Sequence, residues 1–264
     1  MISYEMLTAR NAGIIQNQEC LRKATVAIGG CGGAGGEVAG TLARMGVGNI
    51  RVADPDSFDV SNLNRQFGSS VVSIGQNKAQ VIADMISDIN PHCRLRVVSD
   101  GITEENAEEF LEGADIALEE IDFTQPYYTA VFHRAARRLG ISVLTALPVG
   151  WTSFLFNFVP DGMSYEEYVG LDPECEVDEF KTHSTPVTAY CPEQLRYVNP
   201  DVIQAVAERR IDIPAIAPAV NLTAGILSSF VYFYLSSKKQ ILPVPWYYST
   251  GDMFELSPKK NAFI

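Results

Sequence analysis

The chain has 264 residues, 47% of them hydrophobic, and a formal charge of −12. This length and apolar content can bury a full core as one large domain, which excludes disordered and fibrous classes. The acidic balance argues against nucleic-acid and anionic-membrane partners, which repel such a surface unless it carries a local basic patch.

The N-terminus Met1-Ile2-Ser3-Tyr4-Glu5-Met6 has an early acid, no basic segment and no apolar run behind it, so no secretory signal is read and a cytoplasmic protein is expected. Five cysteines with no C-x-x-C pair argue against a disulfide framework and a zinc ribbon. Over the first 160 residues, apolar runs of strand length alternate with helical patterns. This predicts the α/β class: a Rossmann-like, mostly parallel sheet flanked by helices. Strands are expected at Thr25 to Gly29, Asn49 to Ala53, Leu95 to Ser99, Asp115 to Leu118, Ile141 to Ala146 and Phe154 to Val159.

Between the strands, Gln76 to Ile89 reads as a helix with Ala79, Ile82, Ile86 and Ile89 on one face, stopped by Asn90-Pro91. Thr103 reads as an N-cap ahead of Glu104 and Glu105, and Pro126 as the first position of a helix through Leu139. The basic cluster on that helix, His133, Arg134, Arg137 and Arg138, fits an exposed face. The segment Asp161 to Glu179 carries eight acids and no Lys, Arg or His, and is expected to face solvent. Pro218 to Leu235 is the longest apolar stretch, interrupted by Asn221, Thr223, Ser228 and Ser229, and is read as a buried helix rather than a membrane span. Trp246 to Leu256 reads as two strands around Ser249-Thr250-Gly251-Asp252. Residues 161–264 are therefore read as a substrate-side extension of a single unit, 1–264, that continues the sheet.

Gly30-x-Gly32-Gly33-x-Gly35 follows the first predicted strand and opens a helix. Glycines suit this place because the turn needs unusual dihedrals and because backbone N–H groups must approach phosphate oxygens at the positive end of the helix. Asp54 ends the next strand, where an acid can accept hydrogen bonds from ribose hydroxyls. NAD and ATP fit these features equally. Ser61-Asn62-Leu63-Asn64-Arg65-Gln66 and Gly75-Gln76-Asn77-Lys78 favour ATP, because a triphosphate and its departing pyrophosphate need the cations Arg65 and Lys78.

Together these motifs resemble the family of ThiF, MoeB and HesA, the bacterial relatives of ubiquitin-activating enzymes. The resemblance runs from Arg10 to Val159 and more loosely over Pro214 to Met253. It implies an ATP- and magnesium-dependent adenylyltransferase that activates a carboxylate as an acyl adenylate, with 1–160 as its ATP-binding part. By resemblance, Gly33 lines the phosphates, Asp54 the ribose, and Asn62 and Arg65 hold the phosphates; Gly30, Gly32, Gly35, Asp56 and Gln66 complete the pocket. Lys78 steadies the transition-state charge and Asp122 binds magnesium. Phe123 stands where the family often has Asn.

Arg10 corresponds to an arginine that reaches a partner subunit's ATP site, which implies a homodimer. Some relatives pass the acyl group to a cysteine of their own, and Cys191, in the region where they carry a crossover loop and with His183 nearby in sequence, is the candidate nucleophile. The implied substrates are the C-terminus of a ubiquitin-like or sulfur-carrier protein, or a peptide. Asn90-Pro91-His92-Cys93-Arg94-Leu95-Arg96-Val97-Val98 and the Ile121-Asp122-x-x-x-Pro126 pattern are similar to a branch that acts as tRNA dehydratases, against which the acidic charge and the C-terminal third argue. An NAD-dependent oxidoreductase would leave Arg65, Lys78 and Asp122 unexplained, and a non-catalytic scaffold would be expected to lose them.

Overall fold

The computed structural model describes residues 2–183, 185, 189, 191–192, 199–207, 210–211 and 214–251. Its centre is a seven-stranded sheet ordered β3-β2-β1-β4-β5-β6-β7. The strands are β1 (Thr25–Gly29), β2 (Asn49–Ala53), β3 (Arg94–Val98), β4 (Ile116–Glu119), β5 (Val143–Val149), β6 (Thr152–Phe158) and β7 (Tyr247–Ser249). β1 to β5 run parallel, whereas β6 and β7 are antiparallel additions. β1 and β2 have the predicted bounds; the other expected strands shift by one to three residues at an end.

Helices cover both faces. α1 (Tyr4–Thr8) and α2 (Gln18–Lys23) precede the sheet. On one face lie α3 (Gly33–Met45), α4 (Lys78–Ile89) and, after the short α8 (Pro200–Ala207), the long α9 (Ala217–Leu235). Val38, Leu42, Ile82, Ile86 and Leu227 pack there on Val26, Ile28 and Leu118. The opposite face takes α5 (Ala107–Leu111), α6 (Pro126–Arg138) and α7 (Tyr165–Val169), whose Phe110, Phe132 and Tyr165 meet Ala117, Phe154 and Phe156. Alternation along each strand sends odd and even residues to different helical layers.

α4 begins two residues later than expected because Asn77 caps it, its side chain accepting from the Gln80 N–H. α5 begins at Ala107, not behind a Thr103 cap; Thr103 opens a turn tied to Asn106, which occupies the cap position. α9 is long and apolar enough to cross a membrane by length and composition, and half of its most apolar window is buried. Its Pro218 sits in the first turn, where a missing N–H costs nothing. The second strand expected near residue 256 lies outside the described residues.

Two surface expectations hold only in part. His133 is buried, and Arg134 pairs with Glu166 at 2.6 Å while Arg137 donates to the Gly162 carbonyl. The acidic segment supplies the partners: Tyr165, Glu166, Val169 and Phe180 are buried against α6. The two clusters meet through Arg134 and Glu166, while the other seven acids of the segment, and Arg137 and Arg138, face solvent as expected.

Candidate nucleotide site

Strand order decides where a ligand sits. From β1 the chain passes outward to β2 and β3, then returns to place β4 on the other side of β1. The crevice beyond the carboxyl ends of β1 and β4 is therefore the topological switch point, and two loops meet there: the glycine turn after β1 and the Asp122 loop after β4.

The four glycines of the turn have different jobs. Gly30 has φ +94°, and a Cβ there would lie 2.2 Å from the Glu120 carbonyl oxygen. A Cβ on Gly35 would meet the Gly30 oxygen at 2.0 Å. These two permit the tight stacking of turn, helix and β4. Gly33 faces Val220 of α9. Gly32 caps α3, and a Cβ on it would meet only the Gln66 amide, at 3.6 Å, so its face is open. Beyond it the first N–H groups of α3 point outward without helical acceptors, as in any helix, and favour an anion.

Asp54 is buried at the end of β2. Its carboxylate accepts the Cys31 N–H at 2.6 Å through Oδ2 and the Asp56 N–H at 2.9 Å through Oδ1, locking the turn to the strand. Burial raises its pKa, and those two hydrogen bonds act against the rise. Burial likewise pushes the Cys31 thiol well above its usual range.

Lys78 begins α4 with its side chain only 10% exposed, and its Nζ lies 3.0 Å from Asp56 Oδ2. The Lys78 N–H also donates to the Asp56 carbonyl, and Asn77 donates to the carbonyls of Asp54, Asp56 and Ser99. Asn62 is buried in the 3-10 turn Val60–Asn62, its Oδ1 accepting from Asp59. Arg65 is held by the Ser61 carbonyl and the Asn64 side chain. Gln66 leans over Gly32, and its Oε1 is buried with no donor. In the Asp122 loop, Asp122 is exposed; its Oδ1 accepts both the N–H and the hydroxyl of Thr124 at 2.8 Å.

Thus the structure gathers Gly30, Gly32, Gly33, Gly35, Asp54, Asp56, Asn62, Arg65, Gln66 and Lys78 around the turn, with Asp122 on the adjoining loop. Two expected residues stand apart. Arg10 is exposed in the turn Ala9–Asn11, whose Asn11 donates to the Met45 carbonyl at the far end of α3. Thirteen helical residues put that end roughly 20 Å from the glycine turn. Cys191 is partly buried against the apolar cluster of α6 and α7, on the opposite sheet face from α3. Sequence reasoning passed over Glu119 and Glu120, two acids ending an otherwise apolar strand. Glu120 is half-buried; desolvation of its carboxylate raises its pKa, and its Oε1 accepts the Ala146 N–H.

A family model described as the ThiF family matches residues 7–261. The chain belongs to the ThiF family. Among ThiF relatives, a tRNA threonylcarbamoyladenosine dehydratase of Bacillus subtilis is 39% identical over 105 residues, 39% of this chain and 41% of that protein. The probable adenylyltransferase/sulfurtransferase MoeZ of Mycobacterium tuberculosis is 36% identical over 169 residues, 61% of this chain and 41% of the other. The alignment therefore spans less than half the length of either. In fold, the chain is similar to E. coli tRNA N6-threonylcarbamoyladenosine dehydratase in complex with ATP, with a TM-score of 0.63 at 22% identity, covering 90% of this chain and 98% of that one.

Proposed function

We propose that this chain uses ATP to adenylylate a carboxylate. The observation that carries this reading is the joint placement of Lys78, Arg65 and Asp122 around an open glycine turn at the switch point. Gly32 has room for a phosphate above it and Gln66 offers an unpartnered buried oxygen, so the residues present fit a nucleotide. Gly32 and Gly33 would cradle phosphates, Asp54 would meet the ribose, and Asn62 and Arg65 would hold the phosphate chain. Asp122 would hold magnesium, which neutralises phosphate charge when bound; one carboxylate completed by phosphate oxygens is the usual donor set for that ion. No covalent nucleophile is needed: the substrate carboxylate oxygen attacks the α-phosphorus, pyrophosphate leaves, and Lys78 and Arg65 offset the charge that develops.

The substrate in this reading is the C-terminal carboxylate of a ubiquitin-like or sulfur-carrier protein, or of a peptide. MoeZ, described as an adenylyltransferase, supports it, as does the acidic surface. A second reading, a carboxyl on a modified tRNA base, has the support of the tRNA dehydratase relative. Arg10 lies too far from its own glycine turn to act there, so its role is assigned in trans, across a homodimer. The test is ATP–pyrophosphate exchange with each substrate class in turn. Exchange with a carrier or peptide supports the first reading and exchange with tRNA alone the second. With no exchange for any class and no ATP binding by calorimetry, adenylylation is wrong.

A further inference from the structure

Two acids end the otherwise apolar β4, and each takes a backbone N–H that the sheet leaves over. β4 and β5 pair at Ala117↔Val143 and Leu118↔Leu144, and their ladder stops there. Bonds in a parallel pair are evenly spaced, so the next rung would join the N–H groups of Ala146 and Ile121 to backbone carbonyls of the opposite strand. Both N–H groups turn elsewhere. Ala146 donates to Glu120 Oε1 at 3.0 Å, and Ile121 donates to Glu119 Oε1 at 3.0 Å. The two side chains leave on opposite faces, Glu119 toward Thr129 of α6 and Glu120 toward Gly35 of α3. The ladder therefore ends without stranding a donor, and the strands can part where the crevice opens.

Glu120 also ties this junction to the glycine turn. Its N–H donates to the Gly29 carbonyl at 2.7 Å. A Cβ on Gly30 would lie 2.2 Å from the Glu120 carbonyl oxygen, and one on Gly35 would lie 3.1 Å from the Glu120 Cβ, so both glycines leave the room that Glu120 occupies. Two residues on, Asp122 opens a turn closed by the Thr124 N–H on its Oδ1 and by the Gln125 N–H on its carbonyl. We propose that Glu120 is a positioning residue: with its side chain on Ala146 and its backbone on the glycine turn, it fixes the Asp122 loop at the crevice. Glu119 steadies the same loop from the other face through Ile121. What Asp122 does there rests on the adenylylation reading; the fixing of its loop stands on these bonds alone.

The experiment is amide hydrogen exchange on the full chain without ligand, comparing the unaltered protein with Glu120→Ala, Glu120→Gln and Glu166→Ala, the last a control weakened elsewhere in the fold. In Glu120→Ala, exchange at Ala146, Thr124 and Gln125 quickens by about tenfold relative to the β1 amides, the factor one hydrogen bond is worth. Glu120→Gln keeps an oxygen for Ala146 and restores protection. Glu166→Ala leaves the ratio of loop to β1 exchange as it was. The second readout is ATP affinity by calorimetry with and without magnesium chloride. Glu120→Ala keeps the magnesium-free affinity and loses the gain that magnesium gives the unaltered chain; Glu120→Gln retains that gain. Quickening confined to Ala146, equal quickening of loop and β1, no restoration by Glu120→Gln, or an undiminished magnesium gain in Glu120→Ala overturns the proposal. Should Glu120→Ala fail to fold, Glu120→Asp, which is one methylene shorter and falls short of Ala146, is read in its place by the same criteria. If the unaltered chain binds no ATP, adenylylation fails and the exchange pattern alone decides this inference.

Discussion

Lys78 is positioned before any substrate arrives. Its backbone N–H and its side chain both engage Asp56, and it opens a helix capped by Asn77. Such preorganisation lets a cation act on developing charge without reordering. Lys78→Met is expected to slow pyrophosphate exchange by roughly a hundredfold or more, the scale of losing one preorganised donor, with a much smaller change in ATP affinity. A second prediction concerns Cys93, whose pKa burial pushes up to about 11. An unfolded thiol ionises near 9, so above that pH the unfolded chain sheds a proton the folded chain keeps. The contribution to stability is whole below about pH 9 and is lost as pH rises through about 11. Urea titrations from pH 8.5 to 10.5 should fall less steeply for Cys93→Ala, by up to about 1.4 kcal/mol per pH unit. At this scale the sequence revealed Lys78, Arg65 and Asp122 through motif spacing. It hid Asn77 and Asn90, whose side chains clasp carbonyls far away in sequence, such as Ser99 for Asn77 and Ala43 for Asn90. No local pattern marks such partners.

The glycine turn separates two roles that its sequence spells identically. Gly35→Ala drives a Cβ to 2.0 Å from the Gly30 oxygen and is expected to destabilise the fold by several kcal/mol, on the order of 3 or more, in denaturant titrations. Gly32 has φ −73° and ordinary contacts, so Gly32→Ala should leave the thermal midpoint of the ligand-free protein within a few degrees while weakening ATP binding. Equal losses of stability in both variants would contradict this division. On the other face, Glu166 is buried and tethers α7 to Arg134 of α6. Removing one partner of such a pair strands the other, so Glu166→Ala is expected to cost about 2–4 kcal/mol in chemical denaturation. Sequence reading placed α6 from Pro126 but took the α7 segment for a solvated stretch, and saw Arg134 and Glu166 as exposed, because 32 residues separate them and each sits in a cluster of its own sign.

At the scale of the molecule, the parallel half of the sheet was readable because each strand is a short apolar run bounded by turns, and β1 and β2 carry the expected limits. The order of the strands was not. It follows from crossovers that no local pattern encodes, and only that order brings the Asp122 loop beside the glycine turn. The C-terminal third was read most coarsely; α9 packs where its composition predicts, while the pairing of β7 with β6 depends on contacts about 90 residues apart. A chain of charge −12 should bind a basic carrier surface more weakly as salt rises and tRNA poorly at any salt, which filter binding across 50 to about 300 mM salt would check. The central claim is that the substrate's carboxylate oxygen bonds to the α-phosphorus. It is tested most directly by supplying the substrate with both carboxylate oxygens as oxygen-18 and weighing the nucleotide released after acyl transfer. The account predicts AMP carrying one heavy oxygen. Label appearing in inorganic phosphate with ADP, which means attack at the terminal phosphate, would contradict it.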